Sequence, residues 1–281
     1  MDLVIKAALV GLLQGLTEFI PISSSAHLEL APWIAGWESD ELIGSLAFDV
    51  FLHLGTLVAL LVYFARDWIR YVGAWIASVR ERRIGDDPDR RIAWLLIAAT
   101  VPAAVIGFAL EGFIEEAFHG DSDGARLAIA GFLLVGALAL WLADRFVGQR
   151  RELTDMTTST ALTIGISQAL ALLPGISRSG ATITAGRALG LTREAAARFS
   201  FLLATPITLG AGLYGSRRLL TETHSGTEWL AIGVGFVVAV LSGLMAIGFL
   251  LAWLRRRSLT VFSLYRVGFA LVIVALVVIG R

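Results

Sequence analysis

The sequence contains no cysteine and only one lysine, Lys6. The first absence excludes a disulfide framework, a thiol nucleophile and thiolate metal ligands. Charge of either sign is scarce at 16%, against 57% apolar residues and a mean hydropathy of +0.77. That is more apolar surface than a soluble domain buries, so the solvent is expected to be lipid. Formal net charge is zero, which leaves no basic footprint for nucleic acid. A His and Cys metal cage is also missing, since His53, His119 and His224 are scattered and are expected to be non-catalytic.

What is present is a series of long runs free of charge, at 92–110, 127–142 and 229–254. Each approaches or exceeds the roughly 20 residues that cross a bilayer as helix. The first twenty residues do not read as a secretory leader, because Asp2 replaces the basic region and Gln14 and Glu18 interrupt the apolar run, with no small-residue cleavage site after it. With Lys6 the only lysine, 22 of the 23 basic residues are arginine, clumped at 66–91, 145–151 and 255–257. By the positive-inside rule these connections face the cytoplasm, while the acidic connections 111–124 and 37–41 face outward. Six spans satisfy the charges, at about 46–64, 92–110, 126–143, 199–215, 229–254 and 258–280. Arg217 and Arg218 then fall outside, a mild violation, and 68–79 reads as an interfacial amphipathic helix.

Two segments resist assignment as spans. Residues 3–33 must begin and end outside, and residues 161–191 must begin and end inside, so each is expected to dip in and return. Irregular backbone at membrane depth is tolerated only where protein or a wet cavity surrounds it. The segments also resemble each other: QGLTEFIPISSSA at 14–26 matches QALALLPGISRSG at 168–180, placing Ser23, Ser24 and Ser25 opposite Ser177, Arg178 and Ser179. The expected architecture is an all-α integral membrane protein forming a single polytopic domain. It has six transmembrane helices plus two oppositely oriented re-entrant hairpins, arranged as an inverted repeat of about 1–143 and 144–281. Inverted repeats build a polar site at their interface.

The residues for such a site lie at the two tips. Gln14 and Glu18, four apart, share a helix face, and Ser23, Ser24, Ser25 and His27 follow the break at Pro21. An intramembrane glutamate is a functional candidate by default. At the second tip Pro174 and Gly175 break the helix before Arg178, whose planar, permanently charged fork suits phosphate. Ser177, Ser179 and Thr182 add donors, and a helix beginning near Ala181 would turn its N-terminal amides toward an anion.

QGLTEFIPISSSAH and LLPGISRSGATI resemble the two signature motifs of the undecaprenyl-diphosphate phosphatase, or bacitracin-resistance, family of bacterial membrane proteins. Similarity extends to FDVFLHLGTLVA, ATVPAAVIGF, ARFSFLLATP and SLYRVGFA, and so spans nearly the whole chain. The resemblance implies hydrolysis of undecaprenyl diphosphate to undecaprenyl phosphate and inorganic phosphate. This recycles the lipid carrier for cell-wall synthesis, in the bacterial cytoplasmic membrane with the site reached from the outer face. It places the catalytic serine and histidine on Ser24 and His27, beside Glu18 and Arg178. The substrate grip falls on Gln14, Ser23, Ser177, Ser179 and Thr182, and Asp49 takes the acidic position of the next helix. Arg266 is assigned as a second phosphate partner or as a structural pair for Asp49. A divalent cation, magnesium or calcium, is implied with Glu18 as ligand, although Gln14 stands where an anionic ligand can occur, so dependence on it is expected to be weaker. Partners are the polyprenyl diphosphate and the membrane, with room for a homodimer and no role for nucleic acid.

Two other classes compete. A flippase or transporter of the lipid phosphate would use the same midplane site. A lipid phosphatase of the type 2 phosphatidic-acid class would show PSGH and a later His and Asp, which are missing here.

Overall fold

The structure is a computed structural model, and it describes residues 2–37, 40–118, 122–148, 150–221 and 224–280, without the side chains at 111, 113–118 and 214–221. Among the described residues eleven α-helices account for most of the chain and no strand forms; Arg151 and Leu191 make one isolated bridge. His119, Arg217 and Arg218, and most of the acidic connection 111–124, lie outside the described residues or side chains.

Each local break seen in the sequence has a capping residue that enforces it. Helix α1 (Leu3–Phe19) starts where the Asp2 carboxylate accepts from the Val4 amide and stops before Pro21. Helix α2 (Ser24–Ala35) is capped by Ser23 and ends at Gly36, whose φ of 68° is the left-handed conformation open to glycine. Helix α7 (Thr158–Gln168) passes through a 3-10 turn, Ala169–Leu172, into helix α8 (Arg178–Ala188), which Ser177 caps. Thus both 14–26 and 168–180 fold as helix, break and capped helix. Ser23 and Ser177, opposite each other in the sequence match, share positive φ values of 77° and 72°.

Six helices are long and apolar enough to cross a membrane: α3 (Leu46–Tyr63), α5 (Pro88–Phe118) over Pro88–Leu110, α6 (Asp123–Phe146), α9 (Arg193–Thr221) over Arg193–Leu213, α10 (Gly226–Leu254) and α11 (Thr260–Val278). They match the six spans expected from charge placement. Their outward faces stay apolar, with Phe108 91% exposed, as a surface meeting acyl chains requires. Helix α4 (Ala65–Glu81) covers the segment expected to be amphipathic and presents Ile69, Val72 and Ile76 on one exposed face.

Helix α1 lies along α10, and α7 lies along α5. Both contacts depend on a missing side chain, because a Cβ at Gly11 would sit 2.2 Å from the Gly235 carbonyl oxygen and one at Gly165 would sit 2.1 Å from that of Ala99. Small residues let helices approach closely in lipid, where packing replaces the hydrophobic effect between helices. Helix α3 fills the space between α9 and α10, and α6 pairs with α11. The arginine clumps meet at one end of the bundle: Arg198 reaches Asp67 at 2.9 Å, Arg255 reaches Glu194 at 3.1 Å, and Arg193 reaches Asp144 at 2.6 Å.

Candidate active site

The breaks after α1 and α7 meet inside the bundle. Glu18, in the last turn of α1, is 6% exposed and receives the Arg178 guanidinium from the first turn of α8. Its other carboxylate oxygen accepts from Ser24 Oγ at 2.5 Å and from Gln14 Nε2 at 3.1 Å. Arg178 also donates to Thr208 Oγ1 at 2.6 Å and to the Ala204 carbonyl at 3.3 Å. One guanidinium therefore joins α1, α8 and α9, with its planar fork held from two sides.

A cavity of about 260 Å³ opens on this pair, lined by Glu18, Ser24, His53, Ser177, Arg178 and Thr208 among others. Two helix N-termini border it, because Ser24 begins α2 and Arg178 begins α8. Amides at such ends lack helical partners and favour an anion. Apolar Val50, Ala171 and Ile207 complete the wall, which matches a phosphate attached to a hydrocarbon chain.

The expected site residues divide into two groups. Glu18, Ser24, Ser177 and Arg178 face the cavity. Gln14, Ser23, Ser179 and Thr182 lie behind it: Gln14 holds Glu18, Ser23 and Ser177 cap their helices, Ser179 donates to the Ile20 carbonyl at 3.4 Å, and Thr182 meets Ser200 at 2.6 Å. Ser25 Oγ accepts from the Gly175 amide at 3.5 Å, so one tip touches the other directly. Asp49 stands in the first turn of α3, outside the cavity lining, with Oδ1 buried and unpartnered among the described residues.

His27 is not brought to Ser24. Its Nδ1 meets the Ser23 carbonyl and its Nε2 the Tyr265 hydroxyl, both at 2.7 Å, while its ring stacks 4.4 Å from Phe269. A carbonyl can only accept, so Nδ1 carries the proton and Nε2 accepts from Tyr265. Both nitrogens are thereby committed. The histidine at the carboxylate is His53, whose Nε2 lies 3.5 Å from Glu18 while its Nδ1 donates to the Asp49 carbonyl at 2.7 Å. Its sequence signal was slight: one polar residue, four after Asp49, in an otherwise apolar helix.

Arg266 pairs with backbone rather than with Asp49. Fully buried, it donates to the Gly175, Ile176 and Leu133 carbonyls at 2.9, 3.0 and 3.2 Å. It clamps the turn that precedes Arg178, and its Nη1 has no partner among the described residues.

Fold and site together define a polytopic helical membrane protein with a buried polar centre that joins a carboxylate, a guanidinium and a hydroxyl. The chain belongs to the family described as Bacitracin resistance protein BacA, which it matches over residues 7–272. It is 44% identical over 273 residues to the undecaprenyl-diphosphatase of Desulforudis audaxviator (strain MP104C), covering 96% of this chain and 97% of that one. It is 42% identical to the protein of the same name from Thermomicrobium roseum, over 98% of this chain and 99% of that one. The Pelobacter propionicus protein of that name is 44% identical over 98% of both chains. The translocating alternative finds no support among these relatives.

Proposed function

We propose that this chain hydrolyses undecaprenyl diphosphate to undecaprenyl phosphate and inorganic phosphate, and so returns the lipid carrier to cell-wall synthesis. The observation that carries the reading is the meeting of Glu18, Ser24 and Arg178 in one cavity, on a chain whose relatives bear that activity in their names.

Arg178 and the N-terminal amides of α2 and α8 bind the terminal phosphate, where fixed donors stabilise the charge that spreads over its oxygens during transfer. The arriving anion competes with Glu18 for the guanidinium, which frees the carboxylate to act as base. Ser24 Oγ already points its proton at Glu18. Either Ser24 attacks phosphorus and the phosphoserine is then hydrolysed, or Ser24 and Glu18 orient a water for direct attack. In both routes the oxygen added to inorganic phosphate comes from water and the bridging oxygen leaves with the lipid. His53 Nε2 is placed to pass protons to and from Glu18, whereas His27 holds the Ser23 turn in register.

Gln14 Oε1 is buried beside Glu18 without a partner among the described residues. Oxygen donors of this kind suit a hard cation, so Glu18 and Gln14 would hold a magnesium or calcium ion accompanying the diphosphate. Such an ion supplies neutralisation of phosphate charge.

The segments 3–33 and 161–191 act as re-entrant hairpins of an inverted repeat. Support comes from the matched positive-φ serines, from Gly11 and Gly165 in corresponding helices, and from the pairing of α1 with α10 as α7 pairs with α5. Val50 and His53 near the start of α3, with Ala211 and Gly212 near the end of α9, line the cavity on the side away from the arginine clumps. This supports access from the outer face of the cytoplasmic membrane.

The deciding test is phosphate release from undecaprenyl diphosphate by purified protein in detergent. Stoichiometric undecaprenyl phosphate and inorganic phosphate are expected. Binding of the lipid without release would overturn the reading.

A further inference from the structure

A cavity larger than that of this site lies elsewhere in the bundle. It measures about 620 Å³ and sits at the arginine-rich end, where Trp141, Asp144 and Arg145 of α6 face Arg193, Ser258 and Thr260. Asp144 is not available to a ligand: its carboxylate accepts from Arg187 Nε at 3.2 Å, from Arg193 at 2.6 and 3.1 Å, and from the Leu259 amide at 2.9 Å. With one lining acid, Asp144, set against Arg145 and Arg193, the formal charge of the cavity wall is about +1. Arg145 is exposed and engages no partner among the described residues.

The cavity shares the Trp141 side chain with an apolar groove of about 360 Å³ along the seam of α6 and α11. Trp141 borders both, and the groove runs on over Leu134, Leu138, Leu264 and Val267. Positions 134, 138, 141 and 145 fall on one face of α6, so polar head and apolar tail form a single track. Hydroxyls, an unpaired guanidinium and a tryptophan at the end of a hydrocarbon groove match an amphiphile with an anionic phosphate head.

We propose that this track binds one anionic glycerophospholipid, with its phosphodiester against Arg145, Ser258 and Thr260 and one acyl chain along α6 and α11. Diphosphate chemistry is not involved, because the nearest carboxylate is fully engaged and no base faces the cavity. The bound lipid ties α6 to α11 beside the Asp144 junction, through which Arg187 holds the far end of α8.

The test is native mass spectrometry of the detergent-solubilised protein titrated with phosphatidylglycerol or with phosphatidylcholine of the same chains. One tightly held phosphatidylglycerol is expected, with phosphatidylcholine held weakly. Arg145→Gln should weaken the phosphatidylglycerol affinity about fivefold, as expected for loss of one interfacial cation, and Arg256→Gln on the neighbouring exposed loop should leave it unchanged. Equal binding of the two lipids, equal effects of the two substitutions, or no effect of Arg145→Gln would overturn the proposal. Displacement of phosphatidylglycerol by undecaprenyl phosphate in an Arg145-dependent manner would also overturn it, by assigning the track to the polyprenyl lipid.

Discussion

Arg178 is the residue with the most to lose, because one side chain joins three helices and, in the proposed reading, also grips the phosphate. Arg178→Ala should lower kcat/KM about a thousandfold, as removal of a fixed transition-state donor does. Arg178→Lys should recover little, since an ammonium cannot hold Thr208 while making a planar two-pronged contact to a phosphate. Steady-state phosphate release checks both, and near-normal turnover in either would remove Arg178 from the centre. The two histidines separate by the same assay. His53→Gln should lower kcat about tenfold to a hundredfold and flatten one limb of the pH–rate profile, as loss of a proton carrier does. His27→Gln should lower the rate without changing the shape of that profile, because it removes a brace. The sequence pointed to Glu18, Ser24 and Arg178, since charge and hydroxyls stand out in hydrocarbon. It chose His27 and set His53 aside, whereas His27 is committed to Ser23 and Tyr265 and His53 Nε2 lies 3.5 Å from Glu18. That choice depends on which way each ring turns, and Tyr265, 238 residues from His27, decides it.

At the scale of elements, the helices were legible because a bilayer imposes length and apolarity, and arginine marks the ends. The breaks were legible because Pro21 and Pro174 remove a helical donor and, with Gly175, stand directly before runs of polar residues. Packing was not legible. Nothing in the local sequence says that Gly11 meets Gly235 or that Gly165 meets Ala99. The glycines predict their own test: Gly11→Val places a Cβ where a carbonyl oxygen stands and should destabilise the protein by about 1–3 kcal/mol, the usual cost of overpacking. Gly131, with open space around its Cβ position, should accept alanine with no more than the small gain or loss of a surface helix site. Thermal unfolding in detergent, compared between the two variants, reads the difference. A similar melting temperature for both would show that α1 and α10 do not pack this closely. Asp144 gives a stronger case, because it serves α6, α8, α9 and the start of α11 at once. Asp144→Ala strands the fully buried Arg187 without its carboxylate and should cost about 3–5 kcal/mol.

For the whole molecule the consequence is topological. If both hairpins return to the face they entered from, the two ends of each must lie on the same side of the membrane, and the two hairpins must lie on opposite sides. The absence of native cysteine makes this directly readable by single substitutions. Asp2→Cys and Ala35→Cys, at the two ends of the first hairpin, should both react with an impermeant maleimide in intact cells. Thr154→Cys and Ala188→Cys, flanking the second, should react only after permeabilisation, as should Arg82→Cys between α4 and α5. All five positions are exposed, so reactivity reports the side of the membrane rather than burial. A single span in place of the first hairpin would put Asp2 and Ala35 on opposite sides. That result would also remove the physical basis for the site, because Glu18 and Arg178 can meet at depth only if irregular backbone from both faces is enclosed by protein. Matching reactivity within each pair and opposite reactivity between pairs is the pattern that lets a carboxylate from one face and a guanidinium from the other share a single phosphate.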